Sequence, residues 1–363
     1  MKLAPWQLAS NILCVRLDSL GDVLMCTPAM RAIRQARPLA RLTLLTSASG
    51  AAAVPYIPEL DDVLAYPAPW MKSSAPCAAP DDAHMLALLA SRQFDAAVIF
   101  TSFSQSALPA ALLCHLAGIP TRLAHARENP YQLLTDWVAE PEPESMVRHE
   151  VRRQLDLVAS LGWSPSSSRL SFSVPSQDTA SVRDLLAARG IGPRQPFVLM
   201  HPGASAASRR YPPKLWAQAI LALGQRAAWP VVLTGEVGDV GTIELIREAC
   251  GRQVISLAGQ LGLGQLGAAI AQASVVVSNN TGPAHMAAAI GTALVDLYAL
   301  TNPQHTPWQV NSRLLFHDVP CKFCYKSICP AGHHDCLAKV QPSRVVDAVC
   351  SLMEQLDAHH ARG

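Results

Sequence analysis

Charge is what this sequence has least of. Only 15% of its 363 residues are Asp, Glu, Lys or Arg, and 29 basic against 27 acidic side chains leave a net charge of +2. A chain so near neutrality has no electrostatic footprint for a phosphate backbone, so nucleic acid is not an expected partner. Long apolar runs are missing too: no stretch of 18 or more purely apolar residues occurs, and no membrane span is expected. No G-x-G-x-x-G directly follows a strand-like run, and G-x-x-x-x-G-K-[ST] does not occur. That argues against a Rossmann dinucleotide site and a Walker-type NTPase. The opening MKLAPWQLASNILCV reaches Arg16 and Asp18 without a signal-peptide core or cleavage site. The expected location is therefore the cytoplasm, where ten cysteines stay reduced and call for packing or metal instead of disulfides.

Apolar alternation is what remains. Half of the residues are apolar, and the length suits about two domains. Between Gln253 and Val295 the only ionisable side chain is His285, which marks buried α/β core. Within that region, Ser274–Leu297 (SVVVSNNTGPAHMAAAIGTALVDL) organises the reading. Ser274–Ser278 reads as a buried strand, Asn279–Gly282 as a turn, and Pro283 fits the first turn of a helix. Free N–H groups and the positive end of the helix dipole then face the turn, a site for a negative group. The alternative is an ordinary strand-to-helix link.

Strands and helices alternate elsewhere, which implies parallel sheets covered on both faces. Asn11–Leu17 reads as a first strand. It is followed by Asp18-Ser19-Leu20-Gly21-Asp22 and a helix over Val23–Gln35, with Pro28 expected to kink the helix or mark its start. Asp22 is either a helix cap or a general base at the carboxyl end of that strand. Arg41–Thr46, Val63–Tyr66 and Ala96–Phe100 read as strands, Pro67–Pro80 as a long mobile flap, and Leu123–Glu144 as weakly periodic. The helix over Met146–Leu161 carries Arg148, His149, Arg152 and Arg153, either a solvated face or an anion contact. Gly162–Ser176 is the best linker.

The second half repeats the rhythm. The strand Phe197–His201 leads to Arg209-Arg210-Tyr211-Pro212-Pro213 at a helix start, where two arginines suit a phosphate or simply the surface. After the strand Val231–Thr234 stand Glu236 and Asp239, either of which can hold ribose hydroxyls or cap a helix. Cys321, Cys324, Cys329 and Cys336 are spaced C-x2-C-x4-C-x6-C, which can place four thiolates round zinc or an iron–sulfur cluster, or form a compact loop of free thiols. A stripe over Val345–Leu356 marks a closing helix.

Four pieces of the chain resemble glycosyltransferase family nine, the ADP-heptose:lipopolysaccharide heptosyltransferases. They are RLDSLGDVLMCTPAMRAIR at Arg16–Arg34, HPGASAASRRYPPKLW at His201–Trp216, SNNTGPAHMAAAIGT at Ser278–Thr292 and the tail cysteines. The resemblance implies a GT-B fold of two Rossmann-like domains facing a central cleft. The expected divisions are an acceptor-binding domain over 1–170, a nucleotide-sugar domain over 171–340, and a helix over 341–363 that returns to the first domain. It implies inverting transfer that needs no cofactor or metal, with Asp22 as base. It also implies a donor site of Arg209, Glu236 or Asp239, Asn280, Thr281 and Gly282; His285, inside the first turn of that helix, is expected beside the donor, and Arg148 and Arg152 of the basic helix toward the acceptor. Arg209 stands where the family usually has Lys, Tyr211 where it has Trp, and Asn280 where it has Asp.

The expected reaction is transfer of a heptose from ADP-heptose to a lipopolysaccharide inner-core or other glycan or lipid-linked acceptor. The enzyme would be cytoplasmic, peripheral at the inner membrane face. Two rivals stand beside it: a nucleotide-sugar epimerase on the same fold, and a non-catalytic binding protein whose cysteine tail holds metal.

Overall fold

The computed structural model describes residues 3–72, 79–251 and 254–360. Part of the expected flap, 73–78, lies outside the described residues. The chain divides within the predicted linker into two units, Met1–Ser171 and Phe172–Gly363.

The first unit is one parallel sheet of β1 (Asn11–Arg16), β2 (Arg41–Thr46), β3 (Asp62–Ala65), β4 (Ala96–Ile99), β5 (Thr121–Ala126) and β6 (Asp136–Ala139). Its spatial order is β3-β2-β1-β4-β5-β6. β5 and β6 fill the stretch that reads as weakly periodic. β1, buried along most of its length, reads as the apolar run expected of a central parallel strand.

The second unit holds β7 (Val198–His201), β8 (Val231–Leu233), β9 (Ile255–Ser256), β10 (Val275–Asn279), β11 (Ala293–Leu297) and β12 (Ser312–Leu315). Its order, β9-β8-β7-β10-β11-β12, is the same doubly wound one. In both units the strand order reverses beside the first strand, between β1 and β4 and between β7 and β10. Open α/β sheets bind ligands in the crevice at the carboxyl ends there.

Three sequence expectations change. The helix after β1 runs Leu20–Ala36 and keeps Pro28 inside it. Pro28 has no N–H for the carbonyl of Leu24, and the Thr27 hydroxyl donates to that carbonyl instead, at 2.6 Å. The closing helix Pro342–His360, expected to return to the first domain, is grouped with the second unit. It packs there on the helix Pro213–Arg226 and on β10, β11 and β12. Thirdly, a G-x-G-x-x-G run does occur, Gly262–Gly267, and opens the helix Leu263–Gln272. It follows the sheet-edge strand β9, away from the reversal point. Gly267 serves packing: a Cβ there would stand 2.5 Å from the Phe172 ring.

Side chains alternate across the second sheet. Val198, Met200, Leu233, Val275, Val277, Val295 and Leu297 form one core with Trp216, Ile220, Ile243, Val345, Val349 and Leu352. His201, Ser278 and Asp296 fall on the opposite parity and are register partners in turn, His201 with Ser278 and Ser278 with Asp296. A polar row therefore crosses the carboxyl edge of an otherwise apolar sheet.

Candidate active site

In the first unit the site grows from Arg16, the last residue of β1, whose side chain is 1% exposed. A buried guanidinium needs partners, and it has three carboxylates: Asp18 at 2.8 Å, Asp22 at 3.3 Å and Glu150 at 2.6 Å. Glu150 opens the helix Glu150–Ala159 and also accepts from Gln154, at 2.7 Å.

Asp22 lies in the first turn of the helix Leu20–Ala36, where a carboxylate is favoured. Its Oδ2 accepts from the Ser19 amide at 3.2 Å and the Ser19 hydroxyl at 2.6 Å. The cap and base readings of Asp22 thus share one geometry: one oxygen secures the helix start and the other faces Arg16. Asp18, which sequence reasoning passed over as a site residue, accepts from Gln105 at 2.6 Å. Burial pushes its carboxyl up; Arg16 opposes this and Asp22 adds to it. Both carboxylates keep some solvent access, with side chains 17% and 18% exposed. The spacing Arg-x-Asp-x-x-x-Asp at the end of a strand was the available signal.

Arg148 and Arg152 separate in role. Arg148 is spent on Glu140, Glu142 and Asp156. Arg152 is 66% exposed and pairs with Asp156 at 3.1 Å.

In the second unit the turn after β10 opens the helix Gly282–Ile290, with Thr281 at its N-cap and Pro283 in its first turn. That helix ends at Gly291, whose φ of 93° is the left-handed conformation that glycine adopts without a Cβ clash. Asn279 ties the turn to the loop after β7: its Oδ1 accepts from the Tyr211 amide at 3.1 Å and its Nδ2 donates to the Pro202 carbonyl at 2.6 Å. Asn280 and His285 are buried, while Thr281 and Gly282 keep part of their surface. Pro283 has no N–H and the Ala284 amide donates to the Thr281 carbonyl at 3.0 Å, which leaves the amides of Thr281 and Gly282 as the ones suited to an anion at the reversal point.

Arg209 ends the short 3₁₀ turn Ala207–Arg209 and is half-buried. Its charge acts on Asp296, near the end of β11, and on the Tyr298 phenol just after it. Tyr211 is core: its hydroxyl donates to the Val340 carbonyl at 2.7 Å and its ring meets Trp216 edge-on, with centroids 5.6 Å apart.

Glu236 and Asp239 now differ in role. Asp239 accepts from the Glu236 amide at 3.0 Å and fills the space beside Gly203, where a Cβ would stand 2.2 Å from its Oδ2. Asp239 therefore caps a turn, and Glu236 projects exposed from the loop after β8. His201 meets the Thr234 hydroxyl at 3.0 Å, and burial pushes its imidazole down to about 4.

Asp296 has no counterpart in the sequence reading. It is fully buried, and among the described residues neither carboxyl oxygen has a hydrogen-bond partner. Burial pushes its carboxyl well above the usual carboxylate range, opposed by Arg209.

Of the tail cysteines, Cys324 and Cys329 lie near enough to Cys336 for their charge to act on its thiol, which burial raises. The Cys321 sulfur instead meets His333 Nε2 at 3.7 Å. Among the described residues no group of three or more His, Cys, Asp and Glu side chains is placed to hold a metal ion. Nor is any described helix long and apolar enough to cross a membrane.

Comparison with known proteins bears on the family and the fold. Over 87 residues, 23% of this chain and 27% of the relative, the sequence is 30% identical to lipooligosaccharide heptosyltransferase 2 of Campylobacter jejuni. The chain thus spans about a quarter of that protein's length. Lipopolysaccharide heptosyltransferase 3 of Escherichia coli is 25% identical over 80% of this chain and 83% of its own. The structure of Escherichia coli ADP-heptose LPS heptosyltransferase II superposes with a TM-score of 0.73 at 22% identity, over 96% of this chain and 99% of the other. That likeness shows the fold, GT-B, with its two Rossmann-like units. The family model for glycosyltransferase family 9 (heptosyltransferase) matches residues 85–334, most of the chain, and the protein belongs to that family of glycosyltransferases.

Proposed function

We propose that the protein transfers a heptose from ADP-heptose to a lipopolysaccharide inner-core acceptor, with inversion and without a divalent metal. The observation that carries the reading is the anion site at the reversal point of the second sheet. The amides of Thr281 and Gly282 open a helix there, and the charge of Arg209 reaches Asp296 near the end of the neighbouring β11.

A departing diphosphate needs its charge neutralised, and a guanidinium with helix-terminal amides does so where an ion would otherwise serve. Glu236, exposed at the next strand end, suits the ribose hydroxyls. The acceptor hydroxyl attacks the anomeric carbon as the bond to the diphosphate oxygen breaks. Its proton passes to Asp22, and ADP leaves. Asp22 stands at the corresponding reversal point of the first sheet, with Arg16 on one oxygen. Arg152, the more exposed arginine of its helix, is the one available to an anionic acceptor. A lipid-linked acceptor places the enzyme at the inner membrane surface.

The test is incubation of purified enzyme with ADP-heptose, with and without a heptose-deficient core acceptor, in the presence of EDTA. Acceptor-dependent ADP release with an inverted linkage is expected. Isomerised donor in the acceptor-free arm would move the reading to an epimerase. Loss of turnover with EDTA would overturn metal independence.

A further inference from the structure

We propose that the cysteine-bearing loop 321–334 is a strap that positions Arg209 for the donor diphosphate, with His334 as its principal positioning residue. The inference rests on the reading of Arg209 as the diphosphate ligand.

Ser208 precedes Arg209 and is 4% exposed. The strap engages each of its polar groups. Its amide donates to the Ser327 carbonyl at 3.0 Å, its hydroxyl donates to the Lys326 carbonyl at 2.8 Å, and its carbonyl meets His334 Nε2 at 2.6 Å. The turn Ala207–Arg209 is only three residues long, and its own backbone supplies two bonds, from the Arg209 amide to the Ala206 carbonyl at 3.0 Å and from the Arg210 amide to the Ala207 carbonyl at 3.2 Å. Three contacts from outside add to these and fix where the next side chain, Arg209, is held.

The same strap holds the loop after β11. The Phe323 amide donates to the Leu300 carbonyl at 2.6 Å, and the Tyr325 amide to the Thr301 carbonyl at 2.7 Å. β7 and β11 are the two neighbours of β10 in the sheet. The strap thus ties together the loops that follow the strands on either side of the anion-binding turn.

Two features separate this role from plain packing. The Phe323 and Tyr325 side chains are 41% and 45% exposed, so the loop is held by backbone and polar contacts more than by apolar burial. Phe323, Tyr325 and His334 also adopt left-handed φ values of 62°, 53° and 56°. Residues with a Cβ disfavour that conformation and keep it only where the surroundings over-determine it. A loop built to fill space has no need of three such residues.

The experiment is a double-mutant cycle read by calorimetric binding of ADP, with a thermal melt on each protein. His334→Ala raises the ADP dissociation constant about five- to tenfold, the effect of one lost hydrogen bond on a positioned group. The acceptor KM stays unchanged. His334→Gln, whose amide can still donate to the Ser208 carbonyl, recovers most of the affinity. In an Arg209→Ala background, His334→Ala adds less than about twofold, because the positioned group is gone. Ser208→Ala removes only the hydroxyl bond and weakens ADP by about threefold; it serves if His334→Ala fails to fold. Additive effects in the cycle, or unchanged ADP affinity in folded His334→Ala and Ser208→Ala, would overturn the strap while leaving the donor site standing. Unchanged affinity in Arg209→Ala alone would instead remove the donor-site reading beneath it.

Discussion

Replacing Asp296 by Asn makes a buried proton measurable. The carboxyl is fully buried near the carboxyl end of β11 with neither oxygen hydrogen-bonded among the described residues, and burial pushes its pKa well above the usual range. In the unfolded chain an Asp ionises near pH 4. Between that pH and the higher folded value, the folded protein holds one proton that the unfolded chain has released. Stability from this group is therefore fully present below the unfolded pKa and is lost as pH rises. The loss is about 1.4 kcal/mol per pH unit, the free energy of one proton taken up on folding. Asn has nearly the same shape, cannot ionise and removes this slope. Urea unfolding followed by tryptophan fluorescence between pH 4.5 and 7.5 should give curves that converge at the acid end. They should separate toward neutrality, with Asp296→Asn the more stable. The difference isolates Asp296, since every other titrating group is common to both proteins. Parallel curves would refute the reasoning and mean that Asp296 is ionised in the folded state.

Two further substitutions test the second unit. Arg209→Ala should weaken ADP binding by about 1.5–3 kcal/mol, the scale of a hydrogen bond to a charged group. Arg209→Lys should recover part of it, because the charge returns without the planar fork; calorimetry reads both. Gly203→Ala sets a Cβ about where the Asp239 carboxylate lies, 2.2 Å from Oδ2, and should destabilise the protein by roughly 1–3 kcal/mol through overpacking and loss of the cap on the Glu236 amide. Its thermal midpoint should recover when Asp239→Ser makes room, and a silent Gly203→Ala would show that the loop relaxes freely.

The two sheets are legible in the sequence because a parallel strand covered on both faces must be apolar throughout. Val275–Val277 and Phe197–Met200 announce themselves in that way. β5 and β12 do not, since TRLAHA and SRLL carry ionisable groups whose partners are distant or irregular. Arg122, for example, donates to the carbonyls of Leu133 and Gln132. The turn after β10 is legible because its signals are local, a strand end, a turn and a helix start within ten residues. The Arg16 centre is less so, for Glu150 joins it across 134 residues. That Asp239 is packed against Gly203 and caps the turn, while Glu236 stands exposed, needed the folded chain to show. Asp296 reads simply as one polar residue in an apolar strand, and only burial without partners sets it apart. The tail spacing shows thiols, yet the structural work of that loop is done by the backbone of Lys326 and Ser327 and by the His334 ring. No cysteine pattern encodes that.

Single-turnover kinetics of Asp22→Asn, beside its thermal melt and its ADP affinity, test the central claim most directly. Asn keeps the shape and an oxygen to accept from Ser19, so the helix start is retained. What is lost is the base. The account predicts a normally folded protein that binds ADP with near-native affinity and turns over at least about a hundredfold more slowly, the lower end of general-base assistance. If Asp22 is only a cap, Asp22→Asn is nearly silent, while Asp22→Ala loses around 1 kcal/mol of stability and keeps its activity in the folded fraction. A fully active Asp22→Asn enzyme would contradict the account and leave Asp18, on the same arginine, as the carboxylate to test.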